Sequence, residues 1–585
     1  MNNVRSYKRQ CVIIISSYIS TVLVMFNYGY YCTTYMQNKW CIPLIFMFAA
    51  SVHVGATTGM LVDNSHYLSG DNADYLITQQ FGNSGNLFIL TKTNSSNFPL
   101  TTGSVNNIGY TYVITKLSVT YEILYSVALV GEYTQLVLDS QENEILGGQI
   151  VHNGTTDVRV TKIMNTGILG WTVDLTGNET DSFAQLAINQ LDDVYVAGTT
   201  NSSDFSVLNN DQSYGGGMDA FVTSISSTGD IQWSTYLGGS GDDQGLQLAI
   251  SSDSVFIGGI TLAGNFPVTR SDIPQKFGYD MFFASYDFTG SKLMAFTIGG
   301  GSNEILYSMK VDSTYIYAVG TTEGVSGFPA IGGNEAAYTP GDIGPVVVVA
   351  TLAGLIKFSQ IISNDRKAYP RGITLASNGG FFVWGETNAR DYFSSLNSGA
   401  QGGYDCFVTR FTGSFSKTYD QLFGGNKDDF CVSMLEESDG LYLTLETGSD
   451  PLPGFTYTSG HNVNDNNRDM VVMKVIDGQI DYFTYFGAVG DDIANSLISQ
   501  GDHYTLTGTM DIRGDDGIDV GNRGVVIMNI HEGQITSTTT TTGPVISTNS
   551  SLNSSPNSKT SSSPFIIPIW VMFVFSLRYY KSKRS

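Results

Sequence analysis

Apolar residues between positions 60 and 535 fall into short runs such as DVYVAGTT (193–200), DAFVTSI (219–225) and IQWSTYL (231–237). Each run is rich in β-branched and aromatic residues and ends at Gly, Asn, Asp or Ser, which is the pattern of a strand bounded by turns. No stretch between the two ends shows the 3.6-residue spacing of an amphipathic helix. The runs also repeat. QLAI (247–250) aligns with QLVL (135–138), QLAI (185–188), SMKV (308–311), TLAS (374–377), SMLE (433–436) and SLIS (496–499), and LIT (76–78) is the earliest copy. The anchor residues Ile77, Leu136, Leu186, Leu248, Met309, Leu375, Met434 and Leu497 differ by 59, 50, 62, 61, 66, 59 and 63 positions. A regular period of that size marks a radial or stacked array of supersecondary units.

Each unit reads as four strands. The second is DVYVAGTT, SVFIGGIT (254–261) or YIYAVGTT (315–322). The third is DAFVTSI, DMFFASY (280–286), DCFVTRF (405–411) or DMVVMKV (469–475). The fourth is IQWSTYLGG (231–239), KLMAFTIGG (292–300) or DYFTYFG (481–487). Four antiparallel strands repeated around an axis make an all-β fold, a β-propeller, with eight units counted and seven possible because the second step is short. The last third strand, GVVIMNI (524–530), runs into HEGQITS with no convincing fourth. NSHYLSGDNADYLI (64–77) matches a fourth strand, turn and first strand, so the N-terminal segment is expected to close the last blade and remove the open edge.

The stretch DAFVTSISSTGDIQWSTYLGGSGDDQGLQLAISSDSVFIGGITLAGNFP (219–267) resembles the SBBP type of β-propeller repeat, whose hallmark is the YLGGSGDD turn. The copies GGGSNE (299–304), GGNKDD (424–429) and AVGDD (488–492) are degenerate, and the resemblance spans roughly residues 61–535. It implies a propeller described as seven-bladed, against the eight units counted here.

Asp242 and Asp243 of that turn recur as Asp428-Asp429 and Asp491-Asp492. Paired carboxylates suit Ca²⁺, as does the acidic loop with Asp511, Asp515, Asp516 and Asp519. The copies SNE (302–304) and ETD (179–181) do not keep both carboxylates, and no loop has EF-hand spacing. The expected role is therefore turn stabilisation through backbone N–H groups, with Asp242, Asp243, Asp515 and Asp516 as the alternative metal ligands. Gly148, Gly198, Gly259, Gly320, Gly385 and Gly508 share one place in the second strand and are expected there for packing. No catalytic residue and no cofactor is expected. His53, His66, His152, His461, His503 and His531 are scattered, no unit shows a polar cluster that the others lack, and no hydrolase, zincin, P-loop or dinucleotide motif occurs. The alternative is a secreted or surface hydrolase using two funnel carboxylates, about 5–9.5 Å apart.

Charge changes the picture at the ends. Residues 1–59 and 561–585 contain no Asp or Glu but hold Arg5, Lys8, Arg9, Lys39, Arg578, Lys581, Lys583 and Arg584. The middle keeps 21 of the 29 basic residues against all 53 acidic ones, which disfavours nucleic acid and anionic surfaces as partners. Residues 1–56 read as a hydrophobic leader or signal region, with Met36 as a possible start. Residues 57–535 are the propeller, and 536–564 are a Ser/Thr-rich glycosylated stalk. Residues 565–585 are either a short membrane anchor or a GPI signal with Asn553 as the attachment candidate. Sequons at Asn94, Asn153, Asn178, Asn201, Asn549 and Asn553 fit an exterior location. Cys406 and Cys431, the cysteines outside the leader, are expected as buried thiols, with a single bridge as the alternative. Together these features point to a membrane-tethered, extracellular binding, adhesion or scaffold module whose partner is a protein or glycan.

Overall fold

The computed structural model describes residues 12–15, 21–25, 51–53 and 57–535. Within the last span it excepts 106–108, 207, 209–211, 263, 272–276, 324–326, 333–342, 363–366, 390–401, 450–466, 488–489, 502 and 514–518. The strands Val12–Ile15, Thr21–Met25 and Ser51–His53 form a small antiparallel sheet. From Thr57 onward the chain builds eight four-stranded antiparallel sheets, with no helix among the described residues. These are the blades of a propeller. Blades one to seven span 74–129, 132–175, 181–237, 243–298, 304–361, 368–423 and 429–486. Blade eight combines Ile493–Gln500, His503–Arg513 and Asp519–Ile535 with Thr57–Leu68.

The count is therefore eight. The short second unit is a complete blade whose middle strands, Glu144–His152 and Thr155–Ile163, meet in a two-residue turn at Asn153-Gly154. Both turn residues have positive φ (53° and 93°), the geometry that matches strand twist in a tight hairpin. Blade eight closes as the sequence implies. Thr57–Leu68 runs antiparallel to Asp519–Ile535, with Leu68 opposite Val525 and Thr57 opposite Ile535. The third strand thus continues through HEGQI, beyond the expected GVVIMNI, because the closing strand gives those backbone groups partners. Blades one and eight then join side by side: Gln79 Nε2 donates to Ser496 Oγ at 2.8 Å and Tyr121 OH to Asn529 Oδ1 at 2.6 Å.

Every innermost strand carries a β-bulge, at Ile77, Thr134, Ala184, Leu246, Tyr307, Arg371, Val432 and Asn495. The repeated glycines of the second strand sit beside it. A Cβ on Gly148, Gly198 or Gly259 would lie 1.9–2.0 Å from an inner-strand carbonyl oxygen, so close backbone approach excludes a side chain. The bulges also correct two anchors. In register, Gln79 and Ile373 take the place that Leu186 holds in blade three, two residues from Ile77 and Leu375.

The core lies between blades, each sheet burying both faces against its neighbours. The third strand is buried along its whole length in blade three (Asp219–Ile225), and Trp233 packs there against Leu248, Val255 and Phe282 of blade four. Cys406 of blade six and Cys431 of blade seven form a disulfide across one such interface, so the buried-thiol expectation is corrected. Close packing of the two strands brings their Cα atoms to 5.0 Å, within bridging range.

Candidate binding rim and the junction carboxylates

The paired acidic residues occupy the turns that link one blade to the next. The second of each pair is buried and bonds the backbone N–H four residues earlier: Gly70 to Asp74, Gly239 to Asp243, Gly300 to Glu304 and Gly425 to Asp429, each at 2.6 Å. Thr hydroxyls at the end of the second strand complete the set, from Thr93 to Asp74, Thr200 to Asp181, Thr322 to Glu304 and Thr447 to Asp429. The first residue reaches back to the preceding blade. Asp242 Oδ1 accepts from Met218 N at 3.1 Å, Asp428 Oδ1 from Tyr404 N at 2.8 Å and Asp491 Oδ1 from Arg468 N at 3.0 Å. Asn303 does the same for Tyr279 N at 3.1 Å. An amide suffices at that place, so the position needs an acceptor and not a charge.

Burial raises the carboxyls of these turns. Desolvation takes Asp243 to about 6 against its Thr261 and Gly239 hydrogen bonds. At the start of the adjoining third strand, desolvation, aided by the nearby Asp243 charge, takes Asp219 to about 7. Asp181 and Asp429 likewise rise to about 6, burial being the leading cause. Groups that favour the neutral form and face N–H and O–H donors are poor cation ligands. Of the remaining candidate ligands, Asp515 and Asp516 lie outside the described residues.

On the face where first and second strands turn, a cavity of about 290 Å³ opens between blades one to three, lined by Asp139, Glu142 and Asp192 among others. Its carboxylates tie successive blades together. Glu142 accepts from Ser84 N and Oγ at 2.5 and 2.6 Å, and Asp192 from Ser140 N and Oγ at 2.9 and 2.6 Å. Glu436 accepts from Ser377 N at 2.6 Å, repeating the contact between blades six and seven. Asp139 is ion-paired to Lys162 at 2.8 Å.

The opposite face, which carries the second-to-third-strand loops, breaks the repeat. On blades six and seven, Tyr369, Tyr404 and Phe430 form a row with ring centroids 6.2 and 6.5 Å apart, and the Arg468 guanidinium lies 5.7 Å from the Phe430 centroid. Tyr369 pairs across the strands with Glu386, and Phe430 with Glu446. Glu386 takes a two-point contact from Arg371, Nε to Oε2 at 2.8 Å and Nη2 to Oε1 at 2.7 Å. Arg468 Nη1 meets Glu446 Oε2 at 3.2 Å. The Arg371 and Arg468 side chains are 54% and 41% exposed, while Glu386 and Glu446 are 7% and 13%, so the guanidinium groups face solvent. Burial raises the Glu446 carboxyl, opposed by Arg468 and Arg371. Blade one has a smaller version, with Lys92 Nζ 5.2 Å from the Tyr75 centroid and 5.3 Å from that of Tyr110. The expectation that no unit carries a polar cluster of its own is corrected. The signal was present: Arg371 is a bulge residue where other blades have Leu246 or Val432, and Glu386 and Glu446 replace Thr199, Ile260 and Thr321.

Asn153, Asn178 and Asn201 are exposed, whereas Asn94 is half-buried and its Oδ1 accepts from Ala73 N at 2.9 Å. Asn549, Asn553, Met36, the stalk and the C-terminal apolar run lie outside the described residues.

These features define an eight-bladed β-propeller with one asymmetric rim. No protein-family model matches the sequence, and no curated protein matches it. Among solved structures the chain is similar to Sqt1 from Chaetomium thermophilum, at 11% identity and TM-score 0.40, over 82% of this chain and 99% of that one. It is also similar to the WD40 domain of Neurospora crassa Pan2, at 9% identity and TM-score 0.33, over 66% and 92%. A third is the Pyrococcus horikoshii acylaminoacyl peptidase, at 10% identity and TM-score 0.35, over 76% and 60%.

Proposed function

We propose that this propeller is a non-enzymatic binding or adhesion module of the SBBP repeat type, held outside the cell on a glycosylated stalk and tethered to the membrane through residues 565–585. The observation that carries the binding part is the rim of blades six and seven. Flat aromatic faces beside two solvent-facing guanidinium groups offer stacking and hydrogen-bond donors together, a combination suited to a sugar ring or an extended peptide. An extracellular address is supported by the bridge between Cys406 and Cys431, which suits an oxidising compartment. The exposed sequon residues and the acid-free, basic chain ends agree with it. A glycan array and a cell-surface pull-down with the protein test the reading. Specific capture supports it, and failure to retain any glycan or surface protein counts against it. For the tether, phosphatidylinositol-specific phospholipase C releases a GPI-linked protein from intact cells, whereas a spanning segment resists the enzyme.

One observation favours a second reading, a hydrolase acting at the same rim: the burial-raised Glu446 stands on the blade next to Glu386. A glycosidase acid is a carboxyl whose proton is held by burial. Turnover of a captured glycan that is lost in Glu446→Gln supports the hydrolase, and intact recovery of the glycan supports the binding module.

A further inference from the structure

Asp63, His503 and His531 come from three adjacent strands of blade eight. His503 opens the second strand, and His531 lies on the third, one residue beyond the Tyr504–Ile530 pair. Asp63 is the bulged residue of the closing strand, skipped between Asn64 opposite Asn529 and Val62 opposite Ile530. The bulge turns its carboxylate towards both imidazoles. Asp63 Oδ2 lies 3.2 Å from His503 Nδ1, and Asp63 Oδ1 lies 2.8 Å from His531 Nδ1. One ligand atom from each of the three falls within 4.8 Å of the others. His531 Nδ1 is itself buried and makes no hydrogen bond, despite its closeness to the carboxylate. Asp63 and His503 are exposed, so an ion has access from solvent.

We propose that these three side chains bind a transition-metal ion of the Zn²⁺ class, which pins the closing strand and locks the ring. Two imidazole nitrogens and one carboxylate oxygen suit Zn²⁺, Co²⁺ or Ni²⁺ rather than Ca²⁺ or Mg²⁺, which prefer all-oxygen sets. A small rotation of the side chains brings three donors to about 2.0–2.2 Å from a common centre, with water in the open position. Asp63 and His503 are separated by 440 positions in sequence, so the ion ties together the two ends of the propeller chain. Cross-linking so distant a pair stabilises by restricting the opened chain.

The test uses the full chain, stripped with EDTA and titrated with Zn²⁺. One equivalent should bind, the melting temperature should rise by several degrees, and hydrogen exchange in residues 57–68 should slow. Millimolar Ca²⁺ should do none of this. Co²⁺ should give visible d–d bands of a four-coordinate site. His503→Gln and His531→Gln should each lose the bands and the melting shift, and Asp63→Asn should weaken binding at least tenfold. Because Cys11, Cys32 and Cys41 could also take Zn²⁺, the variants decide the matter. Should a variant fold poorly, exchange protection of the wild-type closing strand by Zn²⁺ remains the readout. Absence of a Zn²⁺-dependent shift and of that protection, or bands and a shift that persist in His503→Gln/His531→Gln, would overturn the proposal.

Discussion

Replacing Asp243 with Asn should stabilise the protein at neutral pH and leave it unchanged in acid. Asp243 is fully buried, and its carboxyl accepts from Gly239 N at 2.6 Å and from the Thr261 hydroxyl. Desolvation raises its pKa from 3.8 to about 6 despite those bonds. The native state therefore holds this proton to higher pH than the unfolded chain does. Stability is undiminished below the unfolded value, falls as pH rises through the window from 3.8 to about 6, and stays reduced above it. A shift of that size corresponds to roughly 2–3 kcal/mol, at 1.36 kcal/mol per unit. Asn keeps an acceptor oxygen for Gly239 and carries no charge, so it escapes the penalty. Asp243→Ala instead leaves the Gly239 N–H and the Thr261 hydroxyl without an acceptor, costing about 1–3 kcal/mol even near pH 4. The assay is urea unfolding of wild type and both variants near pH 4 and near pH 7.5, with EDTA and with millimolar Ca²⁺. An Asn variant less stable than wild type near neutrality would refute the reasoning. So would a Ca²⁺-dependent gain in wild type that Asn abolishes, because mass action would then identify a bound ion.

The same sign applies more widely. Burial raises Asp181 and Asp429 to about 6, Asp219 to about 7 and Glu144 to about 8, so unfolding free energy should rise as pH falls from about 8 to about 5. A flat or opposite profile in denaturant titrations would contradict this. Gly259→Ala places a Cβ 1.9 Å from Gln244 O and 2.6 Å from the Phe282 ring, and should lower stability by about 1–3 kcal/mol or more. Wild-type stability in that variant would show that the bulge relaxes. Deleting residues 57–68 leaves Asp519–Ile535 as an open edge and should cause aggregation. A soluble variant that melts like the full chain would refute closure by this strand.

Strand content and blade number were legible because both faces of every blade are buried. Third strands such as DAFVTSI and DCFVTRF read as unbroken apolar runs whose ends match the structure. Ring closure was legible for a related reason, since YLSGDNAD repeats the turn of YLGGSGDD. The anchors at Ile77 and Leu375 slipped by two residues because a shift of two keeps a side chain on the same sheet face, leaving the alternation unaltered. Pattern alone does not reveal a bulge. The rim escaped notice because its residues are far apart: Arg371 and Glu386 sit on neighbouring strands, and Phe430 and Arg468 come from the next blade. Each looks like an ordinary departure from a degenerate repeat. The disulfide is similar, since Cys406 and Cys431 meet only through blade-on-blade packing.

The most direct test of a binding rim compares wild type with Tyr404→Ala/Phe430→Ala on the ligand recovered from the array or pull-down. Neither ring is fully buried, and the backbone N–H of Tyr404 keeps its bond to Asp428 in the variant. Loss of two stacking faces should weaken binding about tenfold or more, at roughly 0.5–1.5 kcal/mol per ring, with a melting temperature close to wild type. Unchanged affinity in a folded double variant would contradict the assignment of blades six and seven as the binding face.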